Sequence, residues 1–289
     1  MGKPEYKDIL VLSDIHSGSI FGLWPTHYEM TDGTTRSLTS GQAHLWKCWI
    51  HLSEWLGKAQ ADGQANLVAV VLNGDLIDGR QQAQEAMEAM TTNPVDQARA
   101  FRVSLEAFLA PLEKRPSLYV IQGTEYHDHK SGTAVEGIAE ALGAVQYGGV
   151  GTGQYSKEVL DLDVDAVVLN FSHGIGMTGA LYRAVAIDRE AVWSAIAGKV
   201  GKVPKADVIV RSHVHFFVHV EHESKHAVIT PCWQLQTRFM RRNSVYRMMP
   251  DIGAVLIRVW KEAILGEDRT AIYKVLYPLP ARKAVTLAV

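Results

Sequence analysis

Cysteine is almost absent from this sequence, which has only two among its 289 residues. Cys48 and Cys232 lie far apart and fit no metal-binding spacing, which excludes a disulfide framework and a cysteine-based zinc motif. Such sparse cysteine usage is typical of a reducing compartment, and we therefore expect a cytoplasmic protein.

Long apolar runs and an excess of one charge are also missing. No apolar run approaches the roughly 18 residues of a membrane-spanning helix, so we expect no membrane segment. The net charge of −2 argues against a protein that binds polyanions by bulk attraction. No G-x-S-x-G motif occurs, which leaves a serine hydrolase without support.

The composition itself is that of a folded, globular chain. Apolar residues make up 47% of the sequence and charged residues 21%, which excludes a disordered protein. A length of 289 residues is near the upper size for one hydrophobic core, so we predict a single domain over residues 1–289. Residues 18–40, rich in glycine, proline and aromatics, are predicted to form an insertion loop.

The order of apolar patterns predicts an α/β fold. Three strand-like runs are each followed by a loop and a helical pattern, at residues 9–12, 67–72 and 118–121. Later strand-like runs predict a second sheet, at residues 156–162, 166–171 and 207–210. Strands within residues 226–289 are expected to complete that second sheet. The pattern as a whole predicts a two-sheet α/β sandwich.

The second strand has the most informative ending. Its apolar run, Leu67–Leu72, stops at Asn73-Gly74, and two carboxylates follow at Asp75 and Asp78. Ligands of α/β sheets bind beyond the carboxyl ends of such buried parallel strands. A carboxylate in that position needs a cationic partner, because burying an unpaired charge is costly.

Four other strand ends carry similar polar clusters. The five clusters are Asp14-x-His16, Gly74-Asp75-x-x-Asp78, Gly123-Thr124-Glu125-x-His127, His173-Gly174 and His213-x-His215. A single histidine beside a strand is usually an ordinary hydrogen-bonded residue. Their joint arrangement, each after an apolar strand, predicts a centre for a first-row divalent ion such as manganese, iron, zinc or nickel.

This series of motifs resembles the calcineurin-like metallophosphoesterases, whose pattern is D-x-H, G-D-x-x-D, G-N-H-[DE], an isolated H and G-H-x-H. The resemblance extends from Asp14 to His215. It implies a four-layer α/β/β/α sandwich of two mixed β-sheets flanked by helices. Two motifs depart from the pattern. Ser212 replaces the first glycine of the last motif. The third motif reads GTEYH, with Thr124 and Glu125 in the places of asparagine and histidine and a histidine two places later at His127.

The resemblance also implies two divalent metal ions, with manganese favoured over iron, zinc and nickel. It implies six ligands, namely Asp14, His16 and His215 for the first ion, His173 and His213 for the second, and Asp75 bridging the two. Around these ligands, the resemblance implies that Asp78 orients a histidine. Arg80 follows this motif as a phosphate-contacting arginine often does in the family, but Gly79 intervenes, and a surface ion pair is the alternative.

The altered third motif leaves two roles open. Thr124 stands where the family has its asparagine ligand, and Glu125 or a water molecule is an alternative for that position. No residue of this chain stands at the position of the family's leaving-group acid. His127 is our first candidate for that acid, and Glu125 is the second.

The function implied by the resemblance is hydrolysis of a phosphate mono- or diester by a hydroxide that bridges two metal ions. A DNA or RNA nuclease, or a nucleotide phosphodiesterase, is the alternative within the family. A catalytically degenerate protein that binds metal or a partner is the alternative from another class, favoured by the altered GTEYH motif. Because ligating histidines must be neutral, we predict that activity falls as the pH drops through about 6.

Two further stretches carry polar or aromatic patterns. His219, His222 and His226 continue the histidine-rich region, but at about 3.3 Å per residue His219 lies some 13 Å from His215, too far to share its ion. We therefore interpret all three as ordinary strand and turn residues. The stretch Arg238–Arg242 interleaves cations with Phe239 and is interpreted as a solvated loop, with contact to a nucleic acid or charged substrate as the alternative.

Overall fold

The strands of the protein form two mixed β-sheets in a computed structural model that describes residues 5–80, 86–128, 133–148, 153–176, 182–223, 225–243, 249–263 and 268–281. The strands are β1 (Tyr6–Leu12), β2 (Leu67–Asn73), β3 (Ser117–Ile121), β4 (Ser156–Lys157), β5 (Val159–Val164), β6 (Val167–Ser172), β7 (Val208–Arg211), β8 (Val218–His222), β9 (Lys225–Ile229), β10 (Ile252–Trp260) and β11 (Thr270–Tyr277). The helices are α1 (Ser40–Ala61), α2 (Pro94–Leu109), α3 (Glu125–Asp128), α4 (Thr133–Ala141), α5 (Val185–Lys199) and α6 (Arg238–Asn243).

The first sheet has six strands in the order β11-β10-β1-β2-β3-β4, and the second has five in the order β5-β6-β7-β9-β8. Strands β1 to β4 are parallel, while β10 and β11 are antiparallel to their neighbours. In the second sheet β6, β7 and β9 are parallel, and β5 and β8 are antiparallel strands at the edges. Both sheets are therefore mixed, as the sequence predicted.

Three separate apolar clusters define the layers. Helices α1, α2 and α4 cover the outer face of the first sheet, with Trp49, Phe101 and Phe108 fully buried. Helix α5 covers the outer face of the second sheet through Ile187 and Ala191. The inner faces of the two sheets share the third cluster, formed largely by β-branched side chains. These layers make the α/β/β/α sandwich that the sequence predicted.

The helix boundaries of the first layer follow local sequence signals. Helix α1 begins after Thr39, whose hydroxyl accepts from the Gln42 backbone while the Gln42 side chain accepts from the Thr39 backbone. Helix α2 begins after Asn93, with Pro94 in its first position. Both helices therefore start after a residue whose side chain caps the first turn.

One sequence expectation about the later chain is wrong. Strands β10 and β11 belong to the first sheet, where β10 pairs with β1 and β11 pairs with β10, whereas residues 226–289 were expected to complete the second sheet. Only β9 of that range lies in the second sheet.

The loop between β1 and α1 packs on the first helical layer. Leu23 and Trp24 are buried, and Asp96 of α2 accepts hydrogen bonds from the Tyr28 hydroxyl and the Thr31 backbone. The loop is thereby fixed beside the carboxyl ends of β1 and β2. No helix in the described ranges has the length and apolarity to cross a bilayer.

Parallel strands of both sheets end on the same side of the sandwich. The loop after β1 bonds to the loop after β2, where the Asp14 amide donates to the Gly74 carbonyl at 3.1 Å. The loop after β9 bonds back to the first sheet, because the Trp233 amide donates to the Asp14 carbonyl at 3.0 Å. The polar clusters at these strand ends are thus brought to one edge.

Candidate metal centre

The six predicted metal ligands converge in two groups at this edge. One group contains Asp14, His16 and His215, and the other contains Asp75, His173 and His213, with the ligating atoms of each group within 4.8 Å of one another. Five of the six side chains are buried, and only His213 is exposed. A mixture of carboxylate and imidazole donors suits a first-row divalent ion.

The first group has the spacing of ligands around one ion. His215 Nε2 lies 3.1 Å from Asp14 Oδ1 and 3.2 Å from His16 Nε2, and the third edge of the triangle is 3.9 Å. Bonds of about 2.1 Å in a tetrahedral arrangement place ligand atoms about 3.3 Å apart. The group therefore fits a cation with little rearrangement.

Asp14 is held so that one of its carboxylate oxygens is available to bind a metal ion. Its Oδ2 accepts from the Ser13 hydroxyl at 2.6 Å and from the His213 backbone amide at 3.3 Å. Its Oδ1 is buried and has no hydrogen-bond partner among the described residues. A buried carboxylate oxygen in this state is costly, and a metal ion would relieve that cost.

The second group is built around the Asp75 carboxylate. Asp75 Oδ2 lies 3.1 Å from His173 Nε2 and 3.9 Å from His213 Nδ1. His173 Nδ1 lies 2.7 Å from the Asn73 carbonyl, to which it donates, and this bond fixes the tautomer that turns Nε2 toward the carboxylate. His213 is 46% exposed, so this group opens to solvent.

The two groups adjoin each other, with Asp14 Oδ1 only 3.8 Å from His173 Nε2. The remaining Asp75 oxygen, Oδ1, accepts from the Thr124 amide at 2.7 Å and the Thr124 hydroxyl at 3.1 Å. Thr124 therefore orients a carboxylate in this structure. Its role as a metal ligand, and the bridging role of Asp75, stay predictions.

The backbone at these positions is unusual. Eight non-glycine residues in the described ranges have positive φ, and five of them are predicted ligands: Asp14, His16, Asp75, His213 and His215. Left-handed backbone is uncommon for residues with a Cβ, and it concentrates at functional sites where the surroundings enforce it. Gly74 lies against the His173 ring, and a Cβ at Gly74 would overlap that ring.

His127 and Asp78 lie beside the first group. His127 Nδ1 lies 2.9 Å from the Asp78 carbonyl, to which it donates, and this leaves Nε2, which is 3.9 Å from Asp75 Oδ2, facing the centre. Asp78 Oδ1 lies 3.3 Å from His16 Nδ1. Asp78 therefore lies near His16, whose Nδ1 has no hydrogen-bond partner among the described residues, and the role of Asp78 in orienting a histidine stays a prediction.

The ionisable groups differ sharply in proton affinity. Burial lowers the pKa of His16 to about 4, and burial together with His16 lowers the pKa of His127. Burial also acts to lower the pKa of His173, but the carboxylates of Asp75 and Asp14 outweigh it and raise that pKa to about 10. Without a metal ion, His173 therefore carries the positive charge that balances these carboxylates.

Two of the carboxyl groups have raised proton affinity. Burial raises the pKa of Asp78 to about 7, and burial with the neighbouring Asp75 raises the pKa of Asp128 to about 7. Asp128 accepts a hydrogen bond from the Gly123 amide and so fixes the third loop. Because this contact is with the backbone, no motif of the sequence identifies it.

Four of the six ligands line a pocket of about 270 Å³. Its lining comprises these four and nine residues from the surrounding loops and helices: His16, Asp75, His213, His215, Ser19, Asp78, Glu88, Tyr126, His127, Gln234, Thr237, Phe239 and Met240. Tyr126 and Phe239 are 47% and 58% exposed. Two aromatic side chains are therefore available for contact with the organic part of a ligand.

Two predicted site residues, Glu125 and Arg80, are exposed and lie away from this pocket. Glu125 is exposed and is not among the residues that line it. Arg80 is exposed and borders a separate cavity of about 570 Å³ between α2 and α4, together with Arg99 and Arg102. The structure brings His127, rather than Glu125, to the candidate ligands.

Several supporting residues were missed in the sequence. Asn73 is buried and its amide donates to the Ser212 hydroxyl at 2.6 Å, which in turn pairs with Thr230 at 2.7 Å. This series of hydrogen bonds links the ends of β2, β7 and β9 and explains a serine at position 212. Gln234 donates to Asp78 Oδ1 at 3.4 Å. A polar residue inside an apolar strand end, as at Asn73, is the signal that could have found this network.

Comparisons with known proteins give weak similarities only. No protein-family model matches the chain, and no curated protein matches it. Vps29 from Entamoeba histolytica in complex with zinc is 13% identical, with a TM-score of 0.39 over 93% of this chain and 98% of that chain.

Two other solved structures give similar values. An archaeal phosphodiesterase is 9% identical, with a TM-score of 0.38 over 93% of this chain and 99% of that chain. A predicted phosphoesterase from Streptococcus pneumoniae is 10% identical, with a TM-score of 0.35 over 94% and 100%. At such identities and scores, these likenesses carry no argument about function.

Proposed function

We propose that this protein is a metal-dependent phosphoesterase that hydrolyses a phosphate mono- or diester with two divalent ions. The observation that supports this most is the pair of adjoining three-residue ligand groups, four of whose six residues line one pocket. The separation of 3.8 Å between Asp14 Oδ1 and His173 Nε2 means that ions in the two groups would be neighbours.

The donor set fits the two ions. Asp14, His16 and His215 would hold the first ion, and His173 and His213 would hold the second, with Asp75 shared between them. Two such ions would lower the pKa of water and neutralise charge on the phosphoryl oxygens. A site that combines carboxylate with imidazole suits manganese, iron, zinc and nickel, and the resemblance favours manganese among them.

The side chains around the ions would position and transfer protons. His127 would hold a proton at Nε2 and deliver it to the leaving oxygen, while its Nδ1–H stays bonded to the Asp78 carbonyl. Its lowered pKa favours the neutral ring, and the negative charge of a bound phosphate ester would favour the protonated ring. The His127→Ala variant should keep its metal and lose roughly 10²–10⁴-fold in turnover.

The proposal is tested on metal-free protein. Manganese, zinc, iron or nickel is added back, and release of nitrophenol is followed from an aryl phosphate monoester and an aryl phosphate diester. Hydrolysis that requires added metal and saturates near two ions per chain supports the proposal. Absence of turnover with every metal and both esters contradicts it. The Asp62→Asn variant, altered at an exposed carboxylate paired with Lys58, is the matched control.

A nucleotide phosphodiesterase or nuclease is the second candidate. It is favoured by the exposed rings of Tyr126 and Phe239 at the pocket, since aromatic side chains stack on nucleobases. Phe239 lies in α6, which also carries Arg238, Arg241 and Arg242. Activity on the aryl diester with none on single- or double-stranded DNA or RNA, or on cyclic nucleotides, would remove this candidate.

A protein that binds metal or a partner without turnover is the third candidate. It is favoured by Thr124, which bonds to Asp75 in the place of a ligand, and by the exposure of His213. Two ions bound per chain without hydrolysis of any phosphoester would support this candidate over the other two.

A further inference from the structure

A third group of metal-ligating side chains lies on the antiparallel pair β8–β9, away from the candidate centre. His219 and Glu221 are two residues apart on β8 and so share one face of the sheet. His226 on β9 is the cross-strand partner of Glu221. The ligating atoms of His219, Glu221 and His226 lie within 4.8 Å of one another. We call these three residues the edge cluster.

The two imidazoles of the edge cluster turn ring nitrogens toward each other. His219 Nε2 lies 2.9 Å from His226 Nδ1, and the rings stack with centroids 5.1 Å apart. Two nitrogens bound to one tetrahedral zinc ion lie about 3.3 Å apart. An increase of a few tenths of an ångström in the distance between the two nitrogens would therefore admit an ion that binds both.

Asp268 supplies the partner that a metal-binding histidine requires. Its Oδ2 lies 3.0 Å from His226 Nε2, and its Oδ1 accepts from the Thr270 amide at 3.0 Å. The second bond fixes the carboxylate, and the first keeps the His226 proton on Nε2. His226 Nδ1 consequently presents a lone pair to the edge cluster, as in carboxylate–histidine–zinc arrangements.

Proton affinity and exposure also suit a ligand role. Burial, together with His226, lowers the pKa of His219, so its ring is neutral and able to bind metal at neutral pH. His226 is buried, His219 is half-buried and Glu221 is exposed. The carboxylate side of the edge cluster therefore leaves room for water in a fourth position.

We propose that His219, Glu221 and His226 bind one divalent cation of the zinc class, separate from the ions of the candidate centre, with Asp268 as a positioning residue. Two imidazoles and one carboxylate are a ligand set that zinc uses. The sequence spacing correctly places His219 too far along β8 to share the ion of His215. The strand pairing, however, assembles a separate site.

The location gives this ion a structural task. β8 is the edge strand of the second sheet, and Asp268 precedes β11 of the first sheet. A bound ion would tie the edge strand to β9 and, through Asp268, to the first sheet. It would thereby stabilise an edge strand that has one unpaired side.

The experiment measures zinc and cobalt binding to metal-free protein, with no use of enzyme activity. The parent should bind one more ion per chain than the His219→Ala and Glu221→Gln variants, and its cobalt complex should show the absorption of a tetrahedral site that these variants lose. The Asp268→Asn variant should lower the affinity for this ion by roughly 10–100-fold. His222→Ala is the matched control, because His222 is on the same hairpin but bonds to Asp188.

Equal stoichiometry and spectra for the parent, His219→Ala and Glu221→Gln would overturn the proposal. Equal loss in His222→Ala would also overturn it, since that result would reflect damage to the hairpin. Circular dichroism confirms that each variant is folded before titration. Because the readout is ion count, the proposal can fail or succeed independently of the proposed phosphoesterase activity.

Discussion

The two ligand groups of the candidate centre differ in how completely the protein encloses them. In the first group Asp14, His16 and His215 are all buried, and the second oxygen of Asp14 is held by two hydrogen bonds. In the second group His213 is 46% exposed, and Thr124 supports Asp75 without facing the group. A first ion would therefore find a preformed site, whereas the ligand set of a second ion would be completed from solvent or substrate.

This contrast has a physical consequence for metal loading. A preformed, buried ligand set loses little conformational freedom on binding, whereas an exposed histidine must be ordered by the ion. We therefore expect two affinities, with the first group filled before the second. The exposed side is also where a phosphate ester would enter and supply the missing ligand atoms.

The largest expected effect comes from the shared carboxylate. Asp75→Asn removes the negative charge common to both groups, so both ions should be lost and phosphoester hydrolysis should fall by roughly 10³-fold or more, because ions contribute several kcal/mol of transition-state stabilisation. Metal analysis and turnover check this, with Asp62→Asn as the control. Retention of the first ion with loss of the second alone would show that Asp75 does not bridge.

A more selective change is His213→Ala, which tests whether the groups are separable. Removal of this exposed side chain should lower the affinity for the second ion by at least roughly 10-fold and leave the first ion bound. Removing even a residue that only hydrogen-bonds a metal ligand lowers metal affinity by roughly 10–100-fold. Calorimetric titration of metal-free protein with manganese distinguishes the two. Simultaneous loss of both ions would abolish the contrast between the groups.

The pH dependence tests a property that the groups share. The pKa of His173 is raised from 6.5 to about 10, so its proton stabilises the metal-free protein below about pH 6.5, and that stabilisation is lost as the pH rises toward 10. Although burial acts to lower it, the pKa of His215 is also raised well above its usual range, because the effect of Cys232 and Asp14 outweighs the opposing effect of burial.

Each ion must therefore displace one proton, and metal affinity should rise by up to about tenfold per pH unit above 6.5. The melting temperature of the metal-free protein should fall over the same range, while that of the metal-loaded protein should not. Titrations between pH 6.5 and 9 check both trends. A pH-independent affinity would contradict the protonated state assigned to His173.

The smallest expected effect concerns Thr124. Thr124→Val keeps the shape and the amide bond to Asp75 Oδ1 but removes the hydroxyl bond at 3.1 Å. A hydrogen bond to a charged group contributes roughly 1.5–3 kcal/mol when buried, and this partly exposed one should cost about tenfold or less in the affinity of the second ion. An equal loss at the first ion would show that Thr124 acts on both groups.

The sequence predicted the strand ends better than the sheet edges. Asp14, Asp75, His173 and His215 follow buried strands, and parallel strands deliver their carboxyl ends to one edge, so convergence of these residues followed from local pattern. The place of β10 and β11 did not, because an antiparallel strand can pair with either sheet and only tertiary packing decides.

Contacts across strands were likewise beyond local pattern. The edge cluster depends on the pairing of Glu221 with His226, and one residue of slippage would place the two side chains on opposite faces. The support of Asp75 by Thr124 depends on the approach of a loop 49 residues away. Such contacts are set by register and loop geometry, which the order of residue types does not encode by itself.

The left-handed backbone at five predicted ligands implies a conflict between durability and chemistry. Each such residue costs the folded state roughly 1–2 kcal/mol that glycine would not. A laboratory selection for heat resistance alone would therefore favour glycine at positions such as His16 and His215. The selected variants would be more thermostable but would lack candidate metal ligands. A selection for stability must therefore be coupled to a screen for metal binding.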